Sequence, residues 1–175
     1  MRVKQITAEV KMRPWQVLAK GALWLPVGIA INSLVVSAAS VRGRSMQPAL
    51  NEGVTQGNVV RDRVLLDKWS VQMRNRYHRG DVVVLTSPEN PNEKLVKRLV
   101  ALEGDIIEDK SGHTIVVPQG KCWIEGDNTE LSDGDSNAFG PVPLALIDSR
   151  VMAIVWPLSQ MKLLERKMPE NRSIV

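Results

Sequence analysis

Read by the spacing of its apolar positions, the chain divides into one long uncharged run and a series of short strand-like runs. From Gly21 to Ser40 no residue carries a charge. As a helix that run would be about 30 Å long, close to the thickness of a bilayer core. Trp15 and Trp24 stand near its N-terminal end, where interfacial aromatics belong. Pro26, Asn32, Ser33 and Ser37 make it less apolar than an ideal span, which keeps a buried helix as a competing reading. A cleaved signal peptide is a second rival, with small residues at Ser37-Ala38-Ala39. Against it, cleavage there would leave Ser45 almost at a new N-terminus.

After this run the pattern predicts short strands punctuated by turns. Val64-Leu65-Leu66 is a brief apolar run, and Val82-Val83-Val84-Leu85 is β-branched and continuous, as in a buried strand. Lys94 to Leu102 is a further strand, bounded by Ser87-Pro88-Glu89-Asn90-Pro91-Asn92 and Glu103-Gly104-Asp105. Ile106-Ile107 pairs with His113 to Val117 as a hairpin. Lys121 to Glu125 stops at Gly126-Asp127-Asn128, and Arg150 to Trp156 is the last strand. The fold class is mainly β: short antiparallel strands behind one N-terminal transmembrane helix. The chain divides into a basic leader (1–15), an anchor (16–41), a β domain (42–157) and a charged tail (158–175).

Composition narrows the chemistry. Apolar residues make up 43% of the 175, so a core can be buried, but with five tryptophans, one tyrosine and one phenylalanine it must be mainly aliphatic. The formal net charge is +4, with no lysine–arginine block long enough for a nucleic-acid arm. Basic residues crowd the first twenty positions: Arg2, Lys4, Lys11, Arg13 and Lys20 against the lone acid Glu9. That excess predicts an N-terminus in the negative-inside compartment and a domain across the membrane. The single cysteine excludes an internal disulfide. Two distant histidines leave no zinc spacing, so no metal or cofactor is expected.

Two residues carry the candidate chemistry. Ser45 follows the uncharged run in Arg44-Ser45-Met46-Gln47-Pro48, where Pro48 restricts the backbone. Alone, such a serine is ordinarily a polar loop residue. On the Lys94–Leu102 strand, Lys97 shares a face with Leu95 and Leu99, while Arg98 points the other way. Two placements are open. On a core-facing side the ammonium loses water, its pKa falls, and the amine can serve as a general base. On an exposed side its stem covers leucine methyls while the head reaches water. Cys122, beside Trp123 in an apolar strand, reads as a buried inert thiol. No spacing supports His113 and Asp135 as triad partners of Ser45. Asp105 and Asp127 read as turn-formers.

Together these segments resemble the type I signal peptidases, the serine–lysine membrane peptidases. Ser45-Met46-Gln47-Pro48-Ala49-Leu50 is similar to the nucleophile box, and Lys97-Arg98-Leu99-Val100-Ala101-Leu102-Glu103-Gly104-Asp105 to the lysine box. Gly126-Asp127-Asn128, Asp135-Ser136-Asn137 and Gly140-Pro141-Val142-Pro143 resemble the third. Asn137 followed by Phe139-Gly140-Pro141 is similar to the mitochondrial inner-membrane branch of the family, and within it to the second of its two subunits. The resemblance implies a single-pass inner-membrane protein with its peptidase domain in the intermembrane space. It implies precursor proteins as substrates, a related catalytic subunit as partner, and cleavage by Ser45 and Lys97 through an acyl-enzyme.

It also assigns supporting places. Gly43 stands where many bacterial members have a serine hydroxyl at the oxyanion. Met46 is a packing residue that shapes the substrate pocket. Asp135 is a structural residue bonded within its own loop. The family's lysine-orienting serine lies two residues before that aspartate, yet here Asp133 fills the place and Ser132 stands one further back. Ser132 can reach Lys97 only if the loop bulges, and Asp133 at that spot would hold the ammonium charged. Two rival functions stay open: a non-catalytic subunit that stabilises a catalytic partner, and a self-cleaving repressor-type protease. The anchor and the absence of a helix-turn-helix pattern weigh against the second rival.

Overall fold

The computed structural model describes residues 35–53, 60–132 and 134–168, together with Trp24, Pro26 and Gly28. Among the described residues ten strands form in chain order: β1 Val36–Ser40, β2 Arg63–Asp67, β3 Val82–Thr86, β4 Lys94–Ala101, β5 Ile106–Glu108, β6 Thr114–Val116, β7 Lys121–Glu125, β8 Val142–Pro143, β9 Ile147–Trp156 and β10 Lys162–Leu163. Two short helices, α1 Trp69–Gln72 and α2 Ser136–Phe139, lie between them. The main sheet is antiparallel in the order β1-β2-β9-β3-β4-β7-β8, with β10 added beside β9. The β5–β6 hairpin stands apart.

Both faces of the central strands are covered, which accounts for the continuous apolar run of β3. Val82 and Val84 join an apolar cluster with Val41, Met46, Leu50, Val64 and Ile154. Val83 and Leu85 join a second cluster with Leu99, Cys122, Ile124 and Ile147 on the opposite face. A third, around Trp123, Ile107 and Val117, lies under the hairpin. Because β4 pairs with β3 in strict register, Lys97 stands opposite Val83, and Leu95 and Leu99 pack into the second cluster.

Two boundaries differ from the sequence reading. The sheet begins at Val36, because Val36 to Ser40 pair with Asp67 to Arg63; the last part of the uncharged run is therefore strand. Most of the segment read as an anchor lies outside the described residues. Among those described, no helix is long and apolar enough to cross a membrane. At the other end the described part of the charged tail, to Met168, folds back on the domain. β10 pairs with β9, Leu164 packs on the first cluster and Arg166 Nε donates to Asp81 Oδ1 at 2.8 Å. Apolar Leu164 and Met168, hidden among charged neighbours, give this segment its purchase.

Candidate active site

Ser45 lies half-buried on the segment that leaves β1. Asn51 fixes that segment's shape. Its Nδ2 donates to the carbonyls of Gly43 (2.8 Å) and Val41 (3.2 Å), and its Oδ1 accepts from the Asp62 N–H at 2.9 Å. The Asn51 N–H in turn donates to Asp62 Oδ2 at 2.7 Å. Asn51 adopts φ +57°, a conformation asparagine tolerates better than most residues. Met46 is buried in the first cluster and anchors the middle of the segment. Gly43, at φ +88° with open space around it, gives the chain its bend just before the serine.

Lys97 occupies the core-facing placement: it is 2% exposed, and the exposed alternative does not hold. Its Nζ donates to Ser132 Oγ at 3.0 Å. The Ser132 hydroxyl donates to Asp135 Oδ2 at 2.6 Å and accepts from the Gly126 N–H at 3.1 Å. A hydroxyl has one proton and two lone pairs, so these three bonds use all of it. Asp135 thereby fixes Ser132 as an acceptor toward the lysine.

The register problem in this loop is resolved by Gly134. Its φ of +69° turns the backbone where one residue is in excess, and Ser132 reaches Lys97 despite its place in the sequence. Asp133 lies outside the described residues. Asp135 bonds within its own loop, as expected: Oδ1 accepts from the Asn137 N–H at 2.9 Å and caps α2. Burial pushes the Asp135 carboxyl up, but the bonds from Ser132 and Asn137 outweigh it and hold the group below its ordinary value.

Gly126 joins the two halves. A methyl carbon placed there would stand 2.6 Å from the Ser45 carbonyl oxygen and collide with Ser132 Oγ. The Ser45 carbonyl also accepts from the Asn128 N–H at 3.0 Å. The backbone of Ser45 and the hydroxyl that holds Lys97 therefore meet over one glycine.

The remaining candidates fall elsewhere. Cys122 is buried, and desolvation pushes its thiol up to about 12, so it is inert near neutral pH. His113 is exposed on the hairpin and faces Asp109 at 3.2 Å, while Asp135 is committed to Ser132. The two do not form a pair. Asp127 does more than form a turn: it receives Arg98 through two bonds of 2.6 Å, and Arg98 Nη1 reaches the Gly80 carbonyl at 2.7 Å. Asp105 pairs with Arg79 in the same way, which holds its carboxyl below its ordinary value.

Sequence reasoning passed over Asn51 and Asp62, whose role depends on a contact across the β1–β2 connection. It took Gly126 for a strand stop. The only local signal was that a glycine ends an apolar strand just where a polar loop begins.

A family profile described as signal peptidase, peptidase S26, matches residues 15–116. The chain belongs to this family. Mitochondrial inner membrane protease subunit 2 of Schizosaccharomyces pombe is 45% identical over 79% of this chain and 74% of its own length. The mouse protein of the same name is 43% identical over 85% and 83%. That of Saccharomyces cerevisiae is 38% identical over 78% and 77%. Within the signal peptidase family the chain is thus similar to subunit 2 of the mitochondrial inner membrane protease.

Proposed function

We propose that this signal peptidase family member is a membrane-anchored serine endopeptidase that trims precursor proteins with a Ser45/Lys97 dyad. The observation that carries this reading is the buried Lys97 amine, held by Ser132 where the Ser45 backbone crosses Gly126. Burial among apolar side chains disfavours an ammonium, and a neutral amine can take a proton. Ser45 Oγ attacks the scissile carbonyl carbon while its proton passes to Lys97 Nζ. The carbon–nitrogen bond breaks, Lys97 returns the proton to the leaving amine, and the C-terminal fragment departs with its new N-terminus while the N-terminal fragment stays on Ser45 as an ester. Water then attacks the ester with Lys97 as base, and Ser45 recovers its proton as the ester bond breaks. Backbone N–H groups, that of Ser45 first, hold the oxyanion. Met46 forms part of the floor beneath the residue before the cut.

The relatives' names place them in the mitochondrial inner membrane as protease subunits. By that likeness the chain sits in the same membrane, with its domain in the intermembrane space and a related catalytic subunit beside it. Precursor cleavage tests the dyad. Lys97→Ala or Lys97→Arg should lower turnover roughly 10²–10⁴-fold, the range for a lost general base. Near-normal cleavage by either would end the reading. The rival, a non-catalytic stabilising subunit, draws on the missing hydroxyl at Gly43 and expects full activity from Ser45→Ala.

A further inference from the structure

Three consecutive residues at the end of β7 each hold the loop that carries Ser132. The Ile124 N–H donates to Ser136 Oγ at 2.9 Å and the Gly126 N–H to Ser132 Oγ at 3.1 Å. Between them, Glu125 Oε1 accepts from Asn137 Nδ2 at 3.1 Å. The first two contacts use only the backbone of the strand. The third uses a carboxylate that is 4% exposed. A carboxylate that deep is costly to bury unless donors meet it, and the dyad chemistry makes no use of it. Its Oε1 also accepts from Trp123 Nε1 at 2.8 Å, and Trp123 belongs to the apolar cluster under the hairpin. The register pairs Glu125 with Arg98 and Ile124 with Leu99. Glu125 and Trp123 therefore stand on one face of the sheet, and Ile124, Leu99 and Lys97 on the other. Glu125 grips the loop from the side away from the lysine.

Asn137 carries that grip across. Its Nδ2 donates to Glu125 Oε1 and to Asp135 Oδ1, each at 3.1 Å, and its Oδ1 accepts from the Lys110 N–H at 3.1 Å. A flipped amide would set its oxygen against two carboxylates and its NH2 against an N–H, so the three bonds select one orientation. Arginine there could donate to both carboxylates but accept nothing from Lys110, and an ionised aspartate could only accept. Asp135, held at Oδ1, presents Oδ2 to the Ser132 proton at 2.6 Å, and Ser132 accepts from Lys97. An unbroken chain of hydrogen bonds thus runs from Glu125 to the lysine.

We propose that Glu125 is a positioning residue for the base: through Asn137 it fixes Asp135, and through Asp135 the hydroxyl that holds Lys97. The proposal rests on the Ser45/Lys97 reading and adds to it a residue from the far face of the sheet. It also gives the Asn137 side chain a part beyond that of its backbone N–H, which meets the cap of α2.

Precursor cleavage kinetics of the full chain, in membranes that lack the endogenous copy and with Ser45→Ala as the blank, test it. Glu125→Ala and Asn137→Ala should each lower kcat at least tenfold and leave KM within twofold. In a Ser132→Ala background no hydroxyl remains to be oriented, so the same two substitutions should cost no more than a further twofold. A residue that only supports the fold would cost the same factor in both backgrounds, and a cost above twofold in the Ser132→Ala background would overturn the proposal. A loss in kcat smaller than tenfold for Asn137→Ala would overturn it as well. Asn137 is half-buried and alanine keeps its backbone N–H, so this variant decides if Glu125→Ala folds poorly. A fully active blank would remove the dyad and this proposal together. An inert blank with near-normal Glu125 and Asn137 variants would remove this proposal alone.

Discussion

At the scale of single residues, the account turns on what Ser132 does with its one proton. Because Asp135 takes that proton, the hydroxyl can only accept from Lys97. Ser132→Ala should leave the fold intact and lower kcat more than it raises KM, with partial rescue by Ser132→Thr. An equal effect on both would assign it a merely structural part. Asp135 has a pH signature as well. Its carboxyl is held below its ordinary value of 3.8 in the folded protein, so it adds stability above that pH. The contribution is lost as pH falls through the folded value. Urea unfolding between about pH 6 and pH 3 should therefore show a shallower acid decline for Asp135→Asn. The shared face of Leu95, Lys97 and Leu99 was legible in the sequence. Period-two spacing tells which residues share a face, but not which face is buried. The second apolar cluster decided that for Lys97.

At the scale of elements, the loops that meet at Gly126 matter more than any one strand. A side chain there must displace either the Ser45 backbone or Ser132. Gly126→Ala should cost about 1–3 kcal/mol, as overpacking does, and lower turnover by moving the serine. Chemical denaturation paired with precursor cleavage would measure both effects. β3, β4 and β7 were legible because β-branched or apolar runs end at clear turn residues. β1 was not. Val-Ser-Ala-Ala-Ser has no alternation of its own, and it closes a run whose lack of charge points to a membrane. Its partner β2 supplies the order, through a ladder that no local pattern reveals. In the tail, charged residues concealed two apolar ones that fold back on the domain.

At the scale of the whole molecule, the central strands of the sheet are covered on both faces, and the Ser45 backbone, Ser132 and Lys97 come together around Gly126. The Arg98–Asp127 pair locks that place from behind, with side chains only 6% and 12% exposed. Arg98→Leu would leave the Asp127 carboxylate without its partner and should destabilise the domain by about 3–5 kcal/mol. A change within 1 kcal/mol by denaturant titration would contradict that role. The proposed topology makes its own claim: added protease should reach the domain only when the outer membrane is opened. The most direct measurement of all is precursor cleavage in membranes that lack the endogenous chain, supplied with Ser45→Ala at wild-type abundance. The dyad account predicts that the precursor accumulates uncut while the partner subunit persists. Full processing by the alanine form would contradict it and leave the chain as a stabilising subunit.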